Sequence, residues 1–395
     1  MAITGTGTEL DPYIVHDVTE LETVCLGKGT YWTVGQTFYA KLAADIDADG
    51  IDWPYLAPSG YYPKIVLDLD NHYIINIGWV QANPWEKTLF TGDSMKNGYV
   101  SFSAQNMRNA VCGASGTHTV LFENIKIDGS ISFEPEYGST WWYNWNAMFT
   151  NCSFNNCTGD LVIDFPDMRG KEQVRSHKGA IFTYTENTLN NKFIKNSDFH
   201  VTCNGCVNYY DGHSVEGIVA TTTTQDVIVE KCRITGTVDG EDTTFNEFIG
   251  NEHVVLDTCV VDLDFSQCEM PSTFDAGTLI ASDATTTVIN TDSLSVFDGL
   301  ITAGTGMIPC TYSEIRHYDD LTAVNFPVTK AGSTPPAGWS WFIKDGALPY
   351  LEVWPRQETK SKLYVGSQMI EALYIGDEQI AKAYLGDKLV YKLAI

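Results

Sequence analysis

The sequence predicts an all-β chain: a parallel β-helix, or solenoid, followed by a small C-terminal β-hairpin repeat module. Three observations lead to this prediction: a seven-residue pattern that occurs six times, an unusual surface composition and a ten-residue repeat near the C-terminus. Only 19% of the residues are charged while 44% are hydrophobic, so Asn, Thr, Ser and Gly must supply much of the polar surface. That composition favours strands and turns over long helices.

The seven-residue pattern has two apolar residues, a polar one, an Asn, Lys or Thr, a variable residue, a polar one and an apolar one. It occurs at 121–127, 148–154, 193–199, 228–234, 255–261 and 288–294. The fifth positions are separated by 27, 45, 35, 27 and 33 residues. Short β-rich segments at such intervals predict stacked coils that bury one continuous core.

Equivalent positions of neighbouring coils stack in a solenoid. The fifth position is therefore expected to form an internal ladder of small side chains, from Cys152, Cys232 and Cys259. The position before it is expected to carry asparagines that hydrogen-bond along the stack at the bends: Asn124, Asn151 and Asn196. A short helix near 18–23 is the one helical pattern that stands out.

Two insertions interrupt the coils and carry the candidate site residues. The segment 134–145 is dense in aromatic side chains, which suit subunit contact, core packing or stacking on a glycan: Trp141, Trp142, Tyr143 and Trp145. The segment 164–178 concentrates charge of both signs, either as a self-neutralising solvated loop or as a source of catalytic carboxylates. A glycosidase would need two carboxyl groups roughly 5 to 9.5 Å apart; the candidates are Asp164, Asp167 and Glu172.

The C-terminal region changes to a ten-residue repeat. Each unit is an apolar strand, a tight Gly-Ser or Gly-Asp turn and a second apolar strand, which predicts a small hairpin. The repeated positions are Tyr364, Gly366, Tyr374, Gly376, Tyr384 and Gly386. We therefore expect a β-helix domain with N- and C-terminal caps at 1–355, a linker at 356–362 and a β-repeat module at 363–395. The module is too small to form a core alone.

The charge balance disfavours several classes of partner. With 50 acidic and 24 basic residues the net charge is −26, which disfavours nucleic acids and anionic membrane surfaces. No apolar stretch approaches the roughly 18 to 20 residues of a membrane span. The N-terminus has neither the basic nor the apolar region of a signal peptide, so synthesis in a cytoplasm is expected.

The ten cysteines are expected to be mostly reduced and buried, because the chain is neither small nor visibly secreted. Cys203-Asn-Gly-Cys206 is the one CxxC, and a zinc site would need a second ligand pair that the sequence lacks. No metal and no cofactor are predicted. The sequence also lacks GxSxG, HExxH, Walker A and dinucleotide-binding motifs.

Three stretches resemble known families. Gly5-Thr-Gly-Thr-Glu-Leu-Asp-Pro-Tyr-Ile-Val15, followed by Tyr39-Ala-Lys-Leu-Ala-Ala-Asp-Ile-Asp47, resembles the opening of GLUG-type, adhesin-like β-helix proteins. The segment 338–351, with its Trp-rich strand and Pro-Tyr-Leu ending, resembles the way such domains close. The C-terminal repeat resembles the "YLGDKLVYK" repeats at the ends of many phage structural proteins. The matched motifs cover about a fifth of the chain.

This resemblance implies a right-handed parallel β-helix and a bacteriophage virion protein: a head or tail fibre, spike or decoration protein. Its expected role is attachment to a host surface, where a glycan is a candidate ligand, or to other virion proteins. The expected location is the virion surface, and a homotrimer is favoured by analogy. A tailspike-type polysaccharide depolymerase and a bacterial surface adhesin that has lost its leader are the alternatives.

Overall fold

The chain is mostly β. The computed structural model describes residues 3–25, 36–49, 64–80, 90, 92–107, 112–113, 119–133, 147–164, 180–184, 192–204, 219–221, 226–241, 254–269, 294–297, 308–309, 313–337, 339–352 and six short strands between 363 and 392. Strands hold 58% of these residues, which confirms the all-β class. No helix in this described part is long and apolar enough to cross a membrane.

The chain divides into two compact units, Met1–Trp354 and Pro355–Ile395. The elements of the first unit, in chain order, are β1 (Tyr13–Val15), α1 (Val18–Cys25), β2 (Thr37–Leu42), β3 (Ile46–Asp47), β4 (Lys64–Asp68), β5 (Tyr73–Val80), β6 (Ser94–Met107), β7 (Cys112–Gly113), β8 (Val120–Phe133), β9 (Ala147–Thr150), β10 (Cys152–Asn155), β11 (Thr158–Asp164), β12 (Ala180–Tyr184), β13 (Phe193–Lys195), β14 (Asp198–Asn204), β15 (Val219–Thr221), β16 (Val227–Glu230), β17 (Arg233–Glu241), β18 (Val254–Asp257), β19 (Val260–Glu269), β20 (Leu294–Phe297), β21 (Ile308–Pro309), a 3₁₀ helix (Glu314–Arg316), α2 (Tyr318–Ala323), β22 (Val328–Lys330), β23 (Trp341–Ile343) and β24 (Tyr350–Leu351).

The first unit contains a large parallel sheet in which each strand pairs with a strand about one predicted coil further along the chain. Tyr13 pairs with Ala40, for example, and Phe193 pairs with Ile228. One line of pairing runs through β1, β2, β4, β6, β8, β10, β13, β16 and β18, and a second through β3, β5, β6, β8, β11, β14, β17, β19, β20 and β21. Strands β7, β9, β12 and β15 form a separate four-stranded parallel sheet.

The core lies between these two sheets because alternate side chains of each strand point inward. Ile125 and Ile127 of β8 are fully buried, whereas Lys126 between them is only half-buried. Phenylalanines from both sheets fill the centre at ring distances of 4.9 to 6.2 Å, and they are Phe102, Phe122, Phe149, Phe154, Phe182 and Phe199.

Each repeat of paired strands in the large sheet, called a coil below, bends at one equivalent residue, which takes the left-handed backbone conformation. These six residues, called the bend column below, have φ between 49° and 60°: Asn97, Asn124, Asn156, Asn196, Lys231 and Thr258. Asparagine tolerates this conformation better than other non-glycine residues. The Asn124 amide donates to Asn97 Oδ1 at 3.1 Å, and the Asn156 amide donates to Asn124 Oδ1 at 2.7 Å. The predicted asparagine stacking is therefore confirmed at Asn124, whereas the Asn196 amide donates to Asn155 Oδ1, outside the column, at 3.2 Å.

One predicted register is wrong. Cys152 pairs with Val120, and Asn151 does not belong to the bend column. The residue equivalent to Asn124 is Asn156, and Cys157 follows it. The coil holds two Asn-Cys dipeptides, at 151–152 and 156–157, and both asparagines have positive φ. Local sequence cannot separate them, because only the partner strand decides which dipeptide continues the column.

Two further corrections concern the repeat. The coil at 94–100 also bends at an asparagine, Asn97, although the seven-residue pattern did not include it. The last segment, 288–294, lies outside the described residues except for Leu294, which pairs with Val260 and not with Val261 as the pattern implied.

Thr258 is the least suitable residue of the bend column, because a β-branched side chain is strained at its φ of 53°. We expect Thr258→Asn to raise the free energy of unfolding by about 1 kcal/mol, since asparagine relieves this strain. The reverse change at an equivalent position, Asn124→Thr, should lower it by at least as much. Thermal unfolding followed by circular dichroism measures both. A less stable Thr258→Asn protein would contradict this explanation of the column.

The predicted short helix is confirmed as α1 (Val18–Cys25). Its start is fixed by a close variant of a capping box. The Asp17 carboxylate accepts from the Glu20 main-chain N–H at 2.8 Å, and the Glu20 carboxylate accepts from the His16 main-chain N–H at 2.8 Å. The first contact satisfies an N–H that the first helical turn would otherwise leave open, and the second ties the residue before the cap to the helix.

Residues 313–352 form a small lateral layer with its own core, built from the 3₁₀ helix, α2 and β22–β24. Val260 of β19 belongs to this core although its strand lies in the large sheet. The Trp341 indole N–H donates to the Thr258 carbonyl at 2.9 Å. The layer therefore packs on the outward side of β19, beside the bend column.

The second unit contains three antiparallel strand pairs: β25 (Leu363–Val365) with β26 (Gln368–Ile370), β27 (Tyr374–Ile375) with β28 (Glu378–Gln379), and β29 (Lys382–Leu385) with β30 (Lys388–Lys392). Two residues separate the strands in each pair. These pairs coincide with the three predicted repeats. Tyr364, Tyr374 and Tyr384 lie in the first strand of each pair, while Gly366, Gly376 and Gly386 lie outside the described residues.

Candidate functional site

The strands that follow the bend column carry two rows of outward-pointing side chains, of which the first is largely buried and the second is more exposed. The first outward row contains Tyr99, Lys126, Thr158, Asp198, Arg233 and Val260. The second contains Ser101, Asp128, Asp160, His200, Thr235 and Asp262. Neighbours within a row belong to in-register parallel strands about 4.8 Å apart. Residues far apart in sequence are thereby aligned at a spacing that suits direct side-chain contact.

A mixed cluster, called the Lys126 cluster below, lies where the two rows cross β6, β8 and β11. The Lys126 ammonium lies 2.6 Å from Asp128 Oδ2 and 4.9 Å from the centre of the Tyr99 ring. The other Asp128 oxygen accepts from the Asp160 main-chain N–H at 3.1 Å. Both oxygens of Asp128 are therefore held by donors, whereas the Asp160 side chain is exposed to solvent.

Burial is the main reason that the pKa of Tyr99 is raised well above its usual range, and the nearby negative charge of Asp128 adds to the effect. The phenol therefore keeps its proton at neutral pH. The Lys126 cluster combines a protonated phenol, a half-buried ammonium group and two carboxylates on neighbouring strands. Asp160, the exposed member of the set, can accept hydrogen bonds from hydroxyl groups of a bound sugar. Two carboxylates are also the groups that glycoside cleavage requires.

The first row continues into a buried ion pair that holds the lateral layer. The Arg233 guanidinium binds both carboxylate oxygens of Asp198, with Nε 2.9 Å from Oδ1. Its third contact is a 3.1 Å hydrogen bond to the Pro349 carbonyl. The side chains of Arg233 and Asp198 are only 19% and 7% exposed, so the role of this pair is structural.

The second row carries smaller polar contacts. His200 Nδ1 lies 3.0 Å from Thr235 Oγ1 on the next strand. On β6 and β8, two residues after the members of the second row, the Ser130 hydroxyl lies 3.1 Å from the Ser103 hydroxyl. Hydroxyl and imidazole groups thus extend the polar surface on both sides of the Lys126 cluster.

The predicted carboxylates are only partly described. Asp164 ends β11, and its Oδ1 accepts a hydrogen bond from the Asn204 amide at 2.8 Å. Asp167 and Glu172 lie outside the described residues, as does the aromatic cluster of Trp141, Trp142, Tyr143 and Trp145. These assignments stay predictions.

The sequence interpretation missed the Lys126 cluster. Lys126 and Asp128 alternate with Ile125 and Ile127, which is a signal that both point outward from one strand. Tyr99 and Asp160 are one coil away on either side, and only the coil register brings them into contact. Within the part of the chain that the structure describes, no group of three or more His, Cys, Asp or Glu side chains could hold a metal ion.

The described thiols behave as the sequence predicted. Five described cysteines are buried and form no disulfide: Cys152, Cys157, Cys203, Cys232 and Cys259. Cys206, the other half of the CxxC motif, lies outside the described residues. The predicted ladder is confirmed for Cys232 and Cys259, while Cys157 takes the place assigned to Cys152.

No protein-family model matches the chain, and no curated protein matches it. A solved structure described as a "putative immunoglobulin A1 protease from Bacteroides ovatus" is similar to 89% of this chain and to 95% of its own chain. The two are 18% identical, with a TM-score of 0.42. A similarity of this size is too weak to transfer a fold or a function to the present chain.

Proposed function

We propose that the chain is an attachment protein on the surface of a bacteriophage particle, with a right-handed parallel β-helix as its scaffold. The observation that carries this proposal is the continuous pairing of parallel strands in the large sheet, with three successive bends, at Asn97, Asn124 and Asn156, linked by asparagine amides. A stack of this kind resists bending because each coil is hydrogen-bonded to both of its neighbours. Rigid display of a binding surface is what an attachment protein requires.

The outward rows support a glycan as the ligand. The surface around Asp160, His200 and Thr235 offers hydroxyl, imidazole and carboxylate groups at the strand spacing. Sugars present many hydroxyl groups, which pair with such donors and acceptors. The net charge of −26 favours an uncharged or cationic glycan over an acidic one, because like charges repel.

The C-terminal unit supports the viral context through its ten-residue repeat, which resembles repeats of phage structural proteins. Its three hairpins contain only two to five residues per strand, too few for independent stability. We propose that this unit binds another virion component or a second and third copy of the chain. Binding to two further copies would make the chain a homotrimer. Binding to another virion component would anchor the C-terminal end of the chain.

The test is the protein content of purified particles. We expect peptides of this chain in phage particles banded by density-gradient centrifugation, at a constant ratio to the major capsid protein. A cytoplasmic host protein of similar abundance is the control and should be lost during banding. Recovery of the chain only in the bacterial cell envelope would overturn the proposal in favour of a bacterial surface adhesin.

A second candidate, glycan cleavage, is favoured by one observation: Asp128 and Asp160 lie on neighbouring strands beside a protonated phenol and an ammonium group. Purified protein incubated with host polysaccharide should release no reducing ends if its role is attachment alone. Release that Asp160→Asn abolishes and Asp164→Asn leaves intact would replace attachment by cleavage at the Lys126 cluster. The opposite pattern would assign cleavage to the predicted insertion.

A further inference from the structure

One column of small side chains lies directly after the bends and points into the core. This thiol column contains Cys157, Ser197, Cys232 and Cys259, one residue from each of four successive coils. Every member is fully buried. Within the column, Cys232 and Cys259 are the two cysteines that are direct neighbours, because Ser197 separates Cys232 from Cys157.

The members of the column share one local geometry. Each thiol or hydroxyl lies within hydrogen-bonding distance of the carbonyl oxygen two residues earlier: Cys157 of Asn155 at 3.4 Å, Ser197 of Lys195 at 2.7 Å, Cys232 of Glu230 at 3.3 Å and Cys259 of Asp257 at 3.4 Å. The three thiols also lie 3.2 to 3.4 Å from a carbonyl oxygen of the preceding coil. Their side chains therefore project in the same direction, so neighbours in the column are stacked.

The register of Cys232 and Cys259 is fixed on both sides. Glu230 pairs with Asp257, Arg233 pairs with Val260, and the Val260 N–H donates to the Cys232 carbonyl at 2.9 Å. In-register parallel neighbours lie about 4.8 Å apart, which falls within the Cα separation of about 4.4 to 6.8 Å that disulfides span.

We propose that Cys232 and Cys259 form a disulfide when the chain folds in the presence of a low-molecular-weight disulfide, and stay reduced when it folds in a reducing cytoplasm. One cysteine thiolate attacks the small disulfide and releases one small thiol, which leaves a mixed disulfide on the protein. The second thiolate then attacks the protein sulfur and releases the other small thiol. Two electrons and two protons pass from the cysteines to the small disulfide.

Folding closes access to this pair. Neither side chain is exposed, and burial raises the pKa of the Cys232 thiol well above its usual range, with the neighbouring Cys259 adding to the effect. Since the thiolate is the reactive form, exchange in the folded state requires local opening. The oxidation state of the pair therefore records the environment in which the chain folded. This inference does not depend on the proposed attachment function.

The experiment exposes the chain to the same oxidant in two ways, during refolding and after folding. The full chain is refolded from denaturant in a mixture of oxidised and reduced glutathione, and folded, reduced chain is held in the same mixture for the same time. Free thiols are then alkylated, and peptides are mapped by mass spectrometry without reduction. We expect a peptide that links Cys232 to Cys259 in most refolded molecules and in few of the molecules that were kept folded.

Cys157 is the internal control, because its neighbour Ser197 cannot form a disulfide; it should be recovered alkylated. The Cys259→Ser variant should lack the linked peptide and keep Cys232 as a free thiol. It should still fold, because Ser197 makes the same hydrogen bond at the equivalent position two coils earlier. The proposal is overturned if refolded chains with native circular dichroism keep both thiols free or link Cys232 to another cysteine. Equally rapid linkage in folded chains would overturn the claim that folding seals the pair.

Discussion

Replacing Gly236 by alanine is expected to lower the free energy of unfolding by about 4 kcal/mol, because backbone strain and a steric clash act at one position. Gly236 has a φ of +152°, and a Cβ built there would lie 1.8 Å from the Val201 carbonyl oxygen. Val201 is fully buried and pairs directly with Gly236 across β14 and β17. Neither strand can move away without breaking the ladder between two coils. Urea denaturation followed by circular dichroism measures the loss.

Gly346→Ala separates the two contributions. Gly346 also has a positive φ, +87°, but a Cβ there would meet no atom within 4 Å. Only backbone strain applies, so the expected loss is about 1 kcal/mol. Equal losses at positions 236 and 346 would show that the close approach of the coils contributes nothing.

Arg233→Ala is expected to cost about 3 kcal/mol, because it leaves the Asp198 carboxylate buried without its cation. Asp198 has only 7% of its side chain exposed, and Arg233 also holds the Pro349 carbonyl of the lateral layer. The double variant Arg233→Ala with Asp198→Ala should recover part of the loss, because no unpaired charge then remains. Thermal and urea unfolding of the four proteins of this cycle give the coupling energy.

Lys195→Ala is the matched control for this pair. Lys195 and Glu230 also link two neighbouring coils, at 3.0 Å, but their side chains are 33% and 28% exposed. Removal of this pair should change stability by less than about 1 kcal/mol, since solvent screens it. If Arg233→Ala lowered the free energy of unfolding as little as Lys195→Ala, the Arg233–Asp198 ion pair would contribute no more than a surface ion pair.

Much of the architecture could be predicted because its signals are local. Alternation of apolar and polar residues, as in Ile125-Lys-Ile-Asp128, marks a strand with one buried face. Asparagine before a buried residue marks a bend that needs positive φ, and Asp17 with Glu20 marks the start of α1. The ten-residue repeat coincides with three strand pairs because a two-residue turn specifies an antiparallel hairpin.

The seven-residue pattern correctly aligned 193–199, 228–234 and 255–261. The register of the coil that contains 148–157 could not be predicted in the same way. Asn151-Cys152 and Asn156-Cys157 are alike in sequence, in backbone conformation and in the thiol-to-carbonyl contact of the cysteine. What distinguishes them is that Val120 lies opposite Cys152, while Asn124 bonds to Asn156. Loops of different length between coils remove any fixed spacing from which this could be calculated.

The sequence by itself therefore determined the all-β class, the positions of most bends and the burial of the described cysteines, since each depends on a few neighbouring residues. Only the tertiary structure decided other contacts across coils: Tyr99 with Lys126 and Asp198 with Arg233. These contacts join residues 27 to 35 positions apart. They depend on how whole strands pair with each other, and no single segment of the sequence specifies that pairing.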